Sequence, residues 1–417
     1  TSGIQSFTDM KDYGDRMALD LTPAEMVDHF KNEPMHFDPG TRFEYNNSGY
    51  FLLAWIIEKA SGKTYREYLE ENFFKPLGMS NSYYGSNVRL IPNRTGTYSK
   101  SETGFENATH ISMTQPYGAG SIMSTVEDLY TWNAALHAGN VIKKETLLKA
   151  HTSYKLSDGT ETGYGYGWSM GVVQGSPTLE HGGGINGTVT MGIYLPNEDV
   201  FVAVFANCDC QDPGMTAAKM AAHAIGKPYA FSKILLPNLK EYTGVYENAK
   251  GEQRVITVKE NKLYSQRNKG RVFEITPYEK DKFFFDDNIT TMHFARNAKK
   301  KIDKLTLNNR EPSQTWFKTN KPIPAETPVK KLDEKLLETY VGSYEMSSEF
   351  SFVITREADK LFAQATGQQK LEIFAETDNK FFIKEVDAQL EFIKENEKIT
   401  KVILHQNGQH VEAKRVD

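Results

Sequence analysis

The sequence predicts an α+β protein in which an antiparallel sheet flanked by helices, over residues 1–228, precedes two repeated, β-rich, barrel-like units. Three observations carry this expectation. Capped helix patterns fill the first half, two adjacent strand patterns meet at residues 188–207, and the sequence after residue 239 repeats itself at an offset of 98 residues. The corresponding boundaries are 1–228 for the mixed domain, 229–320 for the first repeat and 321–417 for a linker with the second.

Gly49 to Ala60 is apolar on nearly all sides and stops at Ser61-Gly62, the pattern of a buried helix with a glycine end. Thr64 with Glu67 forms a capping-box pattern before Tyr68, Leu69 and Phe73, and Pro76-Leu77-Gly78 ends that helix. Ser124 with Glu127 repeats the pattern and opens a helix through Leu129, Trp132 and Leu136 to Gly139. Thr188–Leu195 and Val200–Asn207 read as two strands joined by the turn residues Pro196–Asp199. This hairpin follows the glycine run His181–Gly184, which places that run on a sheet edge.

The duplication runs without a gap. Tyr242, Gly244, Tyr246 and Glu247 match Tyr340, Gly342, Tyr344 and Glu345; Lys262, Leu263 and Gln266 match Lys360, Leu361 and Gln364. Lys282-Phe283-Phe284 matches Lys380-Phe381-Phe382, and Phe294 matches Phe392. Short alternating strands lie between, and the proline-containing stretch Lys321–Pro328 links the copies. Each copy is expected to be a small barrel or half of a larger one. The matched aromatic and glycine positions suit cores and turns, and the functional alternative is a lid or wall of an active-site cleft.

Composition narrows the function classes. With 39% hydrophobic and 25% charged residues, the 417-residue chain is ordinary for a folded protein. Its longest apolar runs, Phe51–Ile57 and Val200–Ala206, fall far below the roughly 18 residues of a membrane span. Residues 1–238 carry a net charge of −7 and residues 239–417 one of +2, with no basic stripe interleaved with aromatics, which argues against nucleic acid as a partner. Cys208 and Cys210 are too few and too close for a disulfide framework, and are expected to be two buried or edge thiols. No metal or organic cofactor is implied. The sequence opens at Thr1 without a basic or apolar leader pattern, so an export signal is expected to have been removed or to lie upstream.

The chemistry-bearing stretches come in a fixed order: Phe37-Asp38-Pro39-Gly40, Phe43–Tyr50 (FEYNNSGY), Ser61–Tyr65, Pro76–Met79, Gly118–Asp128 (GAGSIMSTVED), Tyr164–Trp168 (YGYGW) and His181-Gly182-Gly183. Together these resemble the serine β-lactamase-like, penicillin-binding-protein-like family. The nearer likeness is to its branch of class C β-lactamases, D-alanyl-D-alanine carboxypeptidases, D-aminopeptidases and esterases. The resemblance covers about residues 1–225 and implies a β-lactamase/transpeptidase-like domain acting through an acyl-enzyme.

In that family a Ser-x-x-Lys helix upstream of a Thr-Ser-Gly-Ile-like segment supplies the nucleophile. Thr1–Ile4 matches the segment, but no Ser-x-x-Lys occurs in the 417 residues. Thr8/Lys11, Thr146/Lys149, Thr152/Lys155 and Thr315/Lys318 fit Thr-x-x-Lys, a pattern short enough to arise by accident. The expectation is a nucleophile on a segment outside these residues and no activity without it.

The resemblance makes Tyr45 the general base, Asn47 a substrate-positioning amide, His181 the counterpart of the family's Lys-Thr-Gly lysine, and Gly182–Gly184 the substrate strand, with the Gly184 N–H an oxyanion donor. A phenol of pKa near 10 takes a serine proton only when neighbouring positive charge lowers it, so Tyr45 without the lysine is a weaker base. Each residue has a plainer reading: Tyr45 a loop tyrosine, Asn47 a helix cap, His181 a structural histidine. The implied substrate is a small ester, a D-amino-acid peptide or a β-lactam, and the resemblance alone favours a periplasmic or secreted protein. Two rivals stand beside the enzyme: a non-catalytic binding homologue that keeps the cleft, and a fragment complemented by a separate N-terminal chain.

Overall fold

The computed structural model describes residues 1–417 other than 102, 288, 311–312, 326, 348–349, 367, 397, 407–408 and 417. The linker expectation at 321–328 therefore includes one position, 326, outside the described residues. The chain divides into Thr1–Tyr229 and Ala230–Asp417.

Helix starts in the first unit are set by side chains that take up first-turn N–H groups. Helix α1 (Pro23–Phe30) opens on a Thr22/Glu25 capping box with proline in its first turn. Helix α2 (Asn47–Ser61) is capped by Asn46, whose Oδ1 accepts from the Gly49 N–H at 2.7 Å, and ends at Gly62 with a left-handed φ of 71°. It buries Phe51 and Ala54 in a cluster with Phe7, Met26, Phe30 and Tyr117. Burial is one-sided, contrary to the all-round burial expected from its sequence, because Leu53 and Ile56 face solvent.

The Thr64/Glu67 box forms as expected and leads into Tyr65–Leu69, which runs on to Leu77 and stops at left-handed Gly78. The Ser124/Glu127 cap does not form. Helix α3 (Val126–Ala138) starts one residue later, on Thr125, whose side chain accepts from the Asp128 N–H at 3.2 Å. Tertiary contacts decide this shift: the Ser124 hydroxyl is engaged by Ser82 at 2.8 Å, and the Asp128 carboxylate accepts from both the Ser82 hydroxyl and the Asn81 N–H.

Four strands build an antiparallel sheet in sequence order: β1 (Ser169–Val173), β2 (Ser176–Ile185), β3 (Thr188–Leu195) and β4 (Val200–Ala206). Helix α4 (Pro213–Ala224) covers it with Ala217, Ala218, Ala221 and Ala222, whose small side chains let the helix approach β3 and β4 closely. Register matters most at β2. Strand β1 pairs only with Ser176–Glu180, whereas β3 pairs with Leu179–Ile185. Beyond Glu180, β2 has one strand neighbour and one open edge.

Just past β4, Cys208 and Cys210 are joined in a disulfide, with Cα atoms 5.1 Å apart. This corrects the expectation of two thiols. Spacing excluded a framework linking distant segments, but a local bend brings the two sulfurs together; the Cys210 N–H lies 3.3 Å from the Cys208 sulfur.

The second unit holds two closed, eight-stranded antiparallel barrels. The first comprises β5 (Gly244–Glu247), β6 (Gln253–Lys259), β7 (Lys262–Arg267), β8 (Val272–Glu279), β9 (Lys282–Phe285), β10 (Thr291–Arg296), β11 (Ile302–Asn308) and β12 (Gln314–Lys318), with β12 returning to β5. The second, between Gly342 and Arg415, closes in the same way. Closure removes the open edges that a free sheet would present.

The matched residues form the same aromatic core in each copy. Tyr242 packs against Phe283 and Phe294, both 4.9 Å away, and Tyr340 against Phe381 and Phe392 at 5.1 and 4.7 Å. Buried Tyr246 donates its hydroxyl proton to the Tyr242 carbonyl at 2.7 Å, and Tyr344 to that of Tyr340 at 2.8 Å. These edge-to-face and tilted contacts, with the Tyr246 and Tyr344 phenols satisfied by backbone, account for the repeated aromatics as packing.

A half-buried histidine pair is expected to make the first unit sensitive to acid. His137 and His151 stack at 5.3 Å beside Trp168 and Tyr194, and among the described residues neither Nε2 has a hydrogen-bond partner. Burial, aided by His137, lowers the His151 pKa from 6.5 to about 4. A lowered value means that the fold holds the neutral ring, so this contribution to stability is complete above pH 6.5 and is lost as pH falls towards 4. Urea midpoints should therefore fall between pH 7.5 and 4.5, and His151→Gln should show a smaller fall. An equal fall in both proteins would contradict this origin.

Candidate active site

Tyr45 stands in the extended segment immediately before the α2 cap, and its orientation follows from how that helix start is anchored. Ser48 accepts from the Phe7 N–H at 2.8 Å, the Asn46 amide donates to the Ile4 carbonyl at 2.5 Å, and the Asn47 N–H donates to Ser6 Oγ at 3.2 Å. Three consecutive residues thus tie α2 to the Ile4–Phe7 segment. Asn47 is the first helical residue, and the cap is its neighbour Asn46. The Asn47 side-chain amide donates to Thr8 Oγ1 at 3.0 Å.

His181 lies on β2 at the first residue past its pairing with β1. Its Nδ1 is 2.5 Å from the Gly182 carbonyl oxygen, which can only accept, so Nδ1 carries the proton. In that tautomer Nε2 is an acceptor, and the Tyr164 hydroxyl, 2.7 Å away, donates to it. Tyr164 reaches this point because a bridge between Tyr164 and Ser169 folds the Gly-rich segment back at the start of β1, and Ser169 pairs with Glu180.

Around His181 the aromatic rings converge. Tyr45 is centred 5.9 Å from His181 and 6.3 Å from Tyr164, and Phe43 lies 5.3 Å from Tyr164. Tyr50, one turn along α2, hydrogen-bonds the Tyr164 hydroxyl. Burial raises the pKa of Tyr45, of Tyr50 and, furthest, of Tyr164, the last helped by the two neighbouring phenols. All three are neutral phenols at pH 7. Tyr45 is still 48% exposed, so the site is open to a ligand.

The glycines continue this surface. Gly182, Gly183 and Gly184 are exposed on the β2 edge that β1 leaves uncovered, so the strand backbone there carries no side chains. At Gly183 a Cβ would also meet Thr190 Oγ1 at 2.7 Å. Among the described residues, no cluster of three or more His, Cys, Asp or Glu is placed to hold a metal.

The structure therefore brings together Tyr45, His181 and the Gly182–Gly184 edge, and directs the Asn47 amide to Thr8. Sequence reasoning missed Tyr164 and Tyr50 as members of the cluster. Tyr164 had a usable signal in Gly163-Tyr164-Gly165, since a tyrosine between glycines has no local packing and must find its partners elsewhere. Tyr50 reads as one more apolar position of α2.

Residues 1–227 match the family model described as Beta-lactamase. The chain belongs to the β-lactamase family. Residues 237–319 and 326–415 each match a domain of unknown function, DUF3471, one match for each barrel. Penicillin-binding protein 4* of Bacillus subtilis is 25% identical over 94% of this β-lactamase-family chain and 71% of its own length. A D-aminopeptidase of Gluconobacter oxydans is 26% identical over 47% of this chain and 37% of its own, and the human mitochondrial serine beta-lactamase-like protein LACTB is 28% identical over 46% and 42%. The matches thus span less than half of those two relatives. Among solved structures, an octameric penicillin-binding protein homologue from Pyrococcus abyssi aligns over 75% of each chain with 25% identity and a TM-score of 0.46. The family is one of serine hydrolases.

Tyr164→Phe should remove the proton donor that fixes His181. The expected cost is about 0.5–1.5 kcal/mol in urea unfolding, together with loss of the single Nδ1–H tautomer in the nitrogen NMR spectrum of the ring. An unchanged tautomer signal would show that the Gly182 carbonyl suffices.

Proposed function

We propose that residues 1–228 form the substrate-binding and proton-transfer side of a serine acyl-transfer site that hydrolyses an ester, a D-amino-acid peptide or a β-lactam. The observation that carries this reading is the meeting of Tyr45 and His181, 5.9 Å apart, beside a glycine edge without side chains. The scissile carbonyl would lie along Gly182–Gly184, where the Gly184 N–H supplies one oxyanion donor and the nucleophile's own N–H the other. Tyr45 would take the serine proton and pass it to the leaving group. His181, held by Tyr164, would position the acyl donor's polar end. Asn47 would turn from Thr8 to the substrate carbonyl on binding.

A Ser-x-x-Lys outside these residues, on a preceding segment or on a complementing chain, would provide the nucleophile. Its lysine would also supply the positive charge that Tyr45 needs, because its present surroundings raise the phenol pKa and do not lower it. That same feature favours a second reading, a binding homologue that retains the cleft without turnover. Small-molecule or peptide ligands fit both readings.

Labelling with a fluorescent penicillin and a fluorophosphonate separates them. A product in which a Ser-x-x-Lys segment accompanies these residues should label covalently, the 417 residues alone should not, and Tyr45→Phe in the labelled product should slow labelling by about 10²–10⁴-fold. Binding of substrate analogues without covalent label in the presence of that segment would establish the binding homologue.

A further inference from the structure

The first barrel contains a charged interior that barrel packing does not explain. Arg254 on β6 alternates with Ile256, which is fully buried in the barrel core, and Arg254 shares its inward face with only 6% of its surface exposed. One guanidinium nitrogen donates to buried Ser265 at 2.9 Å, and the group lies over the Trp316 ring at 5.0 Å. Among the described residues no ion pair reaches it, its Nε has no acceptor, and neither has the buried indole N–H of Trp316. Buried donors left without a partner in one barrel interior call for an acceptor.

Arg254 lines a cavity of about 510 Å³ at the barrel end where the β7–β8 and β9–β10 hairpins turn. Phe285 and Leu307 are buried in its wall, and Arg267, Arg271 and Phe273 stand at the exposed rim. Two aspartates also line it, but the Asp287 carboxylate is occupied by its own turn, accepting from the Ile289 and Thr290 N–H groups and the Thr290 hydroxyl, and Asp286 is exposed. Arg267 is paired with Glu252 at 2.5 Å. Arg271 stacks on Phe273 at 5.2 Å.

The duplication supplies an internal comparison. At the offset of 98 residues, Arg254, Ser265, Arg267 and Arg271 correspond to Phe352, Ala363, Ala365 and Gln369. Phe352, Ala363 and Ala365 are buried in the apolar core of the second barrel. The same fold therefore closes with an apolar interior, and the arginines of the first copy answer to something other than folding.

We propose that this end of the first barrel is a binding site for a small organic carboxylate, its anionic head on Arg254 and Arg271 and its apolar body against Phe273, Phe285 and Leu307. The planar guanidinium fork matches a carboxylate, and the cavity volume suits a molecule of small-ligand size. Burial brings the Arg254 pKa down to about 10, so the group remains a cation at neutral pH and would gain from a bound anion.

Titration calorimetry on the 417-residue chain tests this with decanoate, inorganic phosphate and decyltrimethylammonium. Decanoate should bind at one equivalent, with phosphate and the cationic analogue on the order of tenfold weaker or silent. Arg254→Phe, which installs the residue of the second barrel, should weaken decanoate at least about tenfold while the thermal midpoint holds or rises. The exposed Arg271→Gln, again copying the second barrel, should weaken it without touching the core. Absence of decanoate binding, equal binding of the cation or of phosphate alone, or undiminished affinity in Arg254→Phe or Arg271→Gln would overturn the proposal.

Discussion

The site of the first unit depends on one register offset. Strand β2 is ten residues long, and β1 accompanies only its first half, so that β2 passes from two strand neighbours to one between Glu180 and His181. An interior strand satisfies its backbone on both sides, whereas one that loses a neighbour presents unpaired N–H and C=O groups. The transition coincides with the glycine run, so the freed backbone is also bare of side chains. His181 stands at the boundary, and the Tyr164–Ser169 bridge delivers Tyr164 to it because β1 begins there.

The start of α2 is the second constraint, and it works through polar anchoring of a helix end. Asn46, Asn47 and Ser48 each hydrogen-bond the Ile4–Thr8 segment, which leaves Tyr45 as the last extended residue before the helix and sets its ring towards His181. Close packing beneath fixes the helix in turn. A Cβ on Gly118 would lie 2.3 Å from that of Ala54 and 2.8 Å from the Tyr50 carbonyl oxygen, so only glycine allows the Tyr117–Ala119 turn this close to α2. The helix that carries Tyr50 and follows Tyr45 is thus held both at its polar start and by this close approach.

In the second unit the two barrels share a scaffold and differ in what fills it. The tyrosine and phenylalanine contacts are reproduced almost distance for distance, so closure and the aromatic core are properties of the repeat. The difference is concentrated at one end, where Arg254, Ser265 and Arg267 replace small or apolar residues. A barrel of eight strands has an interior just wide enough to be filled by side chains or to hold one small ligand, and the two copies take opposite options at that end.

Local pattern in the sequence determined the fold class, the Thr64/Glu67 cap, the glycine helix stops, the β3–β4 hairpin and the 98-residue repeat, because each of these depends on neighbours in sequence or on alternation. The ordered motifs likewise identified the family. Tertiary structure decided what depends on distant partners. It moved the α3 cap from Ser124 to Thr125, because Ser82 takes the Ser124 hydroxyl, and exposed one face of α2 that reads as apolar throughout. It closed the Cys208–Cys210 pair through a bend that spacing does not reveal. It also assembled Tyr45, Tyr50, Tyr164 and His181 from segments up to 136 residues apart, and left the Arg254 Nε inside a barrel without an acceptor among the described residues. Hydrogen-bond competition and strand register are settled only when the chain closes on itself, and no local pattern encodes which competitor wins.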